Sequence, residues 1–85
     1  MSEQIKEIKC PNCNSLMYFN LDEWGRTPWH LHCDNCHINI GTTNMDKAIE
    51  LVKTYHEPHT YIEYYGNEIQ LLFENGQLKK NKEKW

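Results

Sequence analysis

The sequence predicts a small α+β domain with an N-terminal four-cysteine metal-binding unit, one helix and a C-terminal three-stranded antiparallel β-meander. Three observations indicate this arrangement. The four cysteines form two C-x2-C pairs separated by nineteen residues. An apolar stripe with helical spacing follows the second pair. The last third of the chain alternates apolar and polar residues around two short turns that contain Asn and Gly.

A chain of 85 residues has room for one domain, and we assign residues 1–85 to it. Its hydrophobic content of 39% is too high for a disordered chain and too low for a large core, so a metal ion or disulfides must add stability. The formal net charge of -3 argues against a protein that clamps nucleic acid by its phosphates alone. No apolar segment has the length of a secretory signal or a membrane span. We therefore expect a cytoplasmic protein with no membrane partner.

The cysteines carry the strongest functional signal. Cys10 and Cys13 form the first pair and Cys33 and Cys36 the second, at the spacing of a zinc ribbon. In a reducing compartment such pairs are more often metal ligands than disulfides. Four thiolates complete a tetrahedral shell and leave no position for water or substrate, so we predict one structural Zn²⁺ ion. The alternatives are two disulfides, or a site in which one cysteine is replaced by His30, His32 or His37.

The zinc ribbon is assigned to residues 8–42. Residues 16–19 and 29–32 are predicted to form its hairpin, and residues 38–41 a third strand, because each segment is apolar or alternating and is bounded by turn residues. Asn14 and His37 directly follow the second cysteine of each C-x2-C turn, or knuckle. This position commonly has a left-handed backbone, which Asn adopts more readily than His.

A helix is predicted over residues 43–57. Thr43 is a capping residue followed three positions later by Asp46, which is close to a capping box. Pro58 ends the helix. The apolar stripe, expected to pack on the ribbon or on the segment that follows, consists of Met45, Ala48, Ile49, Val52 and Tyr55.

The β-meander is assigned to residues 60–82. Its turns are Gly66-Asn67 and Asn75-Gly76. Two-residue turns pair Ile62 with Leu71 on an apolar face and leave a polar face on the other side of the hairpin.

The first half of the chain also resembles a known family. The motifs are Lys9-Cys-Pro-Asn-Cys13, Trp29 shortly before Cys33-Asp-Asn-Cys36, and a helix that carries Ala48-Ile49. Over residues 8–56 they resemble the small zinc-ribbon proteins of bacteriophages and prophages typified by the restriction-alleviation (Lar-type) family. The Trp-Asn that follows the Ala-Ile pair in that family is missing here, as are the glycines after the knuckles. The resemblance implies zinc on the four cysteines and a phage protein that modulates host defence or host machinery.

An enzyme is the least favoured class. Both thiol pairs are assigned to the metal, and the only serines are Ser2 and Ser15. The chain has neither a phosphate-cradling glycine loop nor the H-x-E of zinc deaminases. We therefore expect a non-enzymatic protein.

We predict instead that the protein binds and modulates a host protein of the restriction, defence or transcription machinery. Trp24 and Arg26 lie between the ribbon strands and have the composition of interface hot spots. Tyr61 and Tyr65, on the polar face of the predicted hairpin, extend this aromatic surface.

The alternative function is nucleic-acid binding. Zinc-ribbon hairpins can bring cations to phosphates and aromatic rings to unpaired bases. Asp22 and Glu23 beside Arg26 argue against it. Pairing of the meander edge would give a dimer, but Lys79 and Lys80 oppose that contact, and the oligomeric state stays open.

Overall fold

The computed structural model of the chain describes residues 8–21, 24 and 27–82. The described residues form an α+β fold with one helix, as predicted. The elements in chain order are β1 (Tyr18–Leu21), β2 (Trp29–Cys33), β3 (Ile38–Thr42), α1 (Met45–Thr54), β4 (Tyr61–Tyr65), β5 (Glu68–Glu74) and β6 (Gln77–Asn81).

The strands form a single six-stranded sheet in which the spatial order is the chain order, β1 to β6. This corrects the expected three-stranded C-terminal sheet. β3 and β4 pair in parallel, and this pairing joins the ribbon strands and the meander strands into one sheet. The physical reason is the position of α1, because parallel neighbours need a crossover of a dozen or more residues, usually a helix, and α1 supplies it. All other neighbouring strands are antiparallel.

The helix is shorter than the predicted range of 43–57. Asn44, not Thr43, is the N-cap, and its Oδ1 accepts a hydrogen bond of 2.8 Å from the Lys47 backbone N–H. The helix ends at Thr54, because Tyr55 leaves helical geometry and the residues after it run back to the start of β4.

None of the helices in the described part of the chain has the length and hydropathy of a membrane-spanning segment.

The core lies between α1 and one face of the sheet. Ala48, Leu51 and Val52 of α1 are buried. They pack against β2 and β3. Leu31, Ile40 and Ile62 on the sheet are fully buried and occupy the same register line across β2, β3 and β4. Ala48 and Val52 of the predicted stripe therefore pack on the ribbon strands, as expected. Leu51 is buried although it was not assigned to the stripe, and Met45, Ile49 and Tyr55 are only half-buried.

A β-bulge changes the predicted register of the C-terminal hairpin. Tyr65 pairs with Glu68 as the turn requires, but Ile62 pairs with Leu72 and not with Leu71. The extra residue in β5 shifts the phase of the alternation, so that Leu72 is buried beside Ile62. Phe73 consequently pairs with Tyr61 and lies on the opposite face of the sheet from the core.

Candidate metal centre and the open face of the sheet

The four cysteines converge at one end of the sheet. Cys10 and Cys13 lie at the turn before β1, Cys33 is the last residue of β2, and Cys36 lies in the turn between β2 and β3. Their sulfur atoms all lie within 4.8 Å of one another. The Sγ atoms of Cys10 and Cys36 are 3.9 Å apart, and those of Cys13 and Cys33 are 3.5 Å apart. Sulfurs at about 2.3 Å from a tetrahedral ion have edges of about 3.8 Å, so the four residues are positioned to hold a metal ion.

The backbone of both knuckles has the geometry predicted for them. Asn14 and His37 have φ angles of 66° and 63°, in the left-handed region. The Asn14 N–H donates to the Cys10 carbonyl at 2.7 Å, and the His37 N–H donates to the Cys33 carbonyl at 2.8 Å. The two knuckles are therefore equivalent turns, each of which directs two sulfur atoms to the same point.

Without a bound cation, the pKa values of the cysteine thiols shift in opposite directions. Burial raises the pKa of Cys36 to about 12 and also raises the pKa of Cys33. Hydrogen bonds from the side chains of Asn35 and Ser15 lower the pKa of Cys13 to about 5. A cation is what allows all the sulfurs to be thiolates together, because it offsets the cost of several buried negative charges.

The second knuckle is held by a hydrogen bond within it and by contacts from Asn12 and His59. The Asn12 Nδ2 donates to the Cys36 Sγ at 3.3 Å, and the Cys36 N–H donates to the Cys33 Sγ at 3.4 Å. The His37 ring stacks on the His59 ring with centroids 5.1 Å apart and an interplanar angle of 10°. The His59 N–H donates to the Cys36 carbonyl at 2.8 Å. The knuckle is thus attached to the segment that leads into β4. The histidines that could have replaced a cysteine are not part of the four-sulfur cluster.

The face of the sheet opposite α1, which we call the open face, carries a continuous row of side chains. Successive strand pairings place one residue of each strand in this row. Three of these residues are exposed, namely Tyr18 (50%), Tyr61 (40%) and Leu78 (51%). No described helix covers the row. In order from β1 to β6, the row consists of Tyr18, His32, Asn39, Tyr61, Phe73 and Leu78.

Local contacts hold the row in place. The Tyr18 and His32 rings are 5.5 Å apart. The Asn20 Nδ2 lies 3.4 Å from the His32 Nδ1. The Tyr61 hydroxyl donates to the Glu63 Oε2 at 2.9 Å, and burial together with this hydrogen bond raises the pKa of Tyr61. The tyrosine therefore stays protonated and remains a donor to its neighbour.

The structure describes three of the four partner-binding residues expected from the sequence, and they lie on two different segments. Trp24 lies in the connection between β1 and β2 and is 94% exposed. Arg26 lies outside the described residues. Tyr61 lies in the middle of the open-face row, and Tyr65 lies at the far end of the same strand, four residues on.

Sequence reasoning missed most of the open-face row. Tyr18 and His32 were assigned to ribbon strands, but the face they share was not connected to that of Tyr61. Tyr18 and Asn20 are two residues apart, as are His30 and His32, so each pair lies on one face of its strand. This spacing is the signal in the sequence for the open face. Phe73 could not be found in this way, because only the bulge places it on the open face.

The chain matches no family model. Comparisons with curated proteins and with solved structures likewise found no match.

Proposed function

We propose that this protein is a non-enzymatic, zinc-stabilised domain that binds another protein through the open face of its sheet. Zinc is the favoured ion because four thiolates in a tetrahedral arrangement are typical of structural zinc sites. Such a shell has no open position, which supports a structural and not a catalytic role. Bound to all four cysteines, the ion connects the knuckle before β1 to the knuckle between β2 and β3 at one end of the sheet.

The observation that carries the binding function is the open-face row. Tyr, Phe, His and Leu side chains align with Asn39 across six strands, and no helix of the described residues lies over them. Thr27 of the β1–β2 connection packs on the same face beside the row, at Gly41. Interfaces are enriched in aromatic residues and depleted of charge at their centre. Trp24, on the connection between β1 and β2, is a further exposed aromatic side chain.

Nucleic-acid binding remains the second candidate, and one observation favours it, namely that aligned aromatic rings can stack on unpaired bases. The charges favour a protein. Within the described strands, the open-face positions carry Glu63 and Glu68 but no Lys or Arg. Four thiolates and one zinc ion would take the formal charge from -3 to about -5. Phosphates would therefore be repelled and not neutralised.

For the biological setting, we propose a phage-derived protein that acts in the cytoplasm of a bacterial host. The partner would be a host protein of the restriction, defence or transcription machinery. The support is the motif resemblance over residues 8–56 and the use of paired cysteines as metal ligands, which is typical of a reducing compartment.

Site-specific photo-crosslinking tests the binding function. A photoreactive phenylalanine analogue replaces Leu78 in the open-face row, and in a matched control it replaces Gln77, which is exposed on the same strand but faces the other way. Both zinc-loaded proteins are irradiated in bacterial lysate, with and without nuclease. We expect a discrete protein adduct from position 78 only, and it should survive nuclease. Adducts to nucleic acid alone would establish the second candidate, and identical adducts from both positions would contradict the open-face site.

A further inference from the structure

Tyr61 and Glu63 form an aromatic and carboxylate pair at the centre of the open face. They are two residues apart on β4, so their side chains lie on the same face. The Tyr61 hydroxyl donates to the Glu63 Oε2 at 2.9 Å. In the part of the chain that the structure describes, Glu63 forms no ion pair with Lys or Arg.

On the opposite face of the same sheet, a cation contacts a similar combination of a tyrosine ring and a carboxylate. The Lys47 Nζ lies 5.1 Å from the centroid of the Tyr64 ring and 2.9 Å from the Glu50 Oε1. A cation there contacts an aromatic face and a carboxylate together. The Glu50 contact raises the pKa of Lys47, which is the expected effect of stabilising its charged form. On the open face the tyrosine and the carboxylate are present, and no Lys or Arg of the described residues pairs with that carboxylate.

The neighbouring charges favour a cation from a partner. Glu68 on the open face already pairs with Lys82, which leaves Glu63 as the acidic group in the centre. Asp34 lies near the row, 3.8 Å from the His32 Nε2. The net charge of the chain is also negative. Electrostatic complementarity therefore selects a partner surface with positive charge.

We infer that the partner of the open face is a protein surface that presents an arginine side chain, whose guanidinium lies over the Tyr61 ring and donates to the Glu63 carboxylate. Arginine fits better than lysine because its planar guanidinium stacks on an aromatic ring and donates to both carboxylate oxygens at once. The other open-face side chains, Tyr18, Phe73 and Leu78, contact the apolar surroundings of that arginine. This inference rests on the proposed protein-binding function and names its partner chemistry.

The test is a titration of the full, zinc-loaded, ¹⁵N-labelled chain with a capped hexa-arginine peptide at low ionic strength. Capped hexalysine and a single-stranded oligothymidine are titrated in parallel. We expect shifts at Tyr61, Glu63 and Phe73, and weaker binding of hexalysine by about threefold. Tyr61→Leu and Glu63→Gln should each weaken hexa-arginine binding by about three- to tenfold. Glu50→Gln removes the same charge from the helix and should change binding by less than about twofold.

Three results would overturn the inference. The first is that Glu50→Gln and Glu63→Gln weaken hexa-arginine binding equally. The second is that hexa-arginine shifts only signals on other surfaces, or none. The third is that oligothymidine binds at the same residues. Failure here is distinguishable from failure of the proposed function. A protein adduct from position 78 that persists in Glu63→Gln would keep the open-face binding function and reject the arginine contact. Loss of that adduct in Glu63→Gln, but not in Glu50→Gln, supports both.

Discussion

Ile40 of β3 and Ile62 of β4 are direct neighbours in the parallel ladder, and both side chains are fully buried. This pair joins the ribbon strands to the C-terminal strands beneath the helix. We expect Ile62→Ala to lower the free energy of unfolding by about 2–5 kcal/mol, because the surrounding core cannot collapse into the space left behind. Urea denaturation of the zinc-loaded protein measures it. Leu78→Ala, at a position that is 51% exposed, is the control and should change stability by no more than about 0.5 kcal/mol. Equal effects would mean that the parallel junction is not part of the core.

Removal of the metal should unfold at least residues 8–42. Structural zinc contributes an apparent binding free energy of about 10–16 kcal/mol in peptides, which is as large as the whole stability of a small domain. Excess chelator, or Cys36→Ser, should abolish the dispersed NMR signals of β1, β2 and β3. Readdition of zinc should restore them in the wild type but not in the variant. Dispersed signals that persist in chelator would show that the sheet folds without the ion.

Zinc binding should release protons and become tighter as pH rises. A cysteine thiol in an unfolded chain has a pKa of about 8.5, and burial in the folded site raises the pKa of Cys33 and Cys36. Both thiols are therefore protonated at neutral pH in a metal-free chain, folded or unfolded, and must lose their protons to the solvent when they bind the ion. Below neutral pH the competition from protons increases, so affinity falls. We expect at least about two protons released per zinc at pH 7, measured by calorimetry in buffers of different ionisation enthalpy. Release of fewer than one would show that the buried thiols are not ligands.

Asn44→Ala should destabilise the protein by about 1 kcal/mol, because the Lys47 N–H loses the side-chain oxygen that caps the helix. Asn44→Asp retains an oxygen acceptor and serves as the control. Thermal unfolding of the zinc-loaded variants measures both. If alanine and aspartate are equally destabilising, the effect does not come from the cap.

Gly41→Ala should be destabilising because of a contact with the connection between β1 and β2. A Cβ atom at Gly41 would lie 2.7 Å from the Thr27 Oγ1 and 3.1 Å from the Thr27 Cβ. We expect a loss of about 1–3 kcal/mol, typical of an overpacked site. The Thr27→Gly substitution removes the contact. Gly41→Ala should therefore lower the free energy of unfolding by less in the Thr27→Gly background than in the wild type. Additive losses, measured by denaturation, would contradict the proposed clash.

The features that could be predicted from sequence depend on residues close together in the chain. The spacing of Cys10 and Cys13, and of Cys33 and Cys36, predicted the four-sulfur cluster, since knuckle geometry is local. The Asn75-Gly76 turn likewise predicted the pairing of Phe73 with Leu78.

The features that could not be predicted are non-local or depend on packing. No local sequence pattern predicts that β3 and β4 are neighbours, because their pairing depends on where α1 returns the chain. The bulge in β5 arises because burial of Leu72 beside Ile62 outweighs strict alternation from the turn. These two features also assemble the open-face row, so the candidate binding surface was the part least accessible from sequence.

The identity of chain order and spatial order in the sheet has a consequence for how the protein forms during synthesis. Each strand pairs with the strand made just before it, so no strand must wait for a distant segment to leave the ribosome. Contacts close in sequence favour rapid folding. The metal site is complete once Cys36 has emerged, before α1 and the C-terminal strands exist. The nascent chain can therefore bind its ion first and extend the sheet one strand at a time from that fixed end.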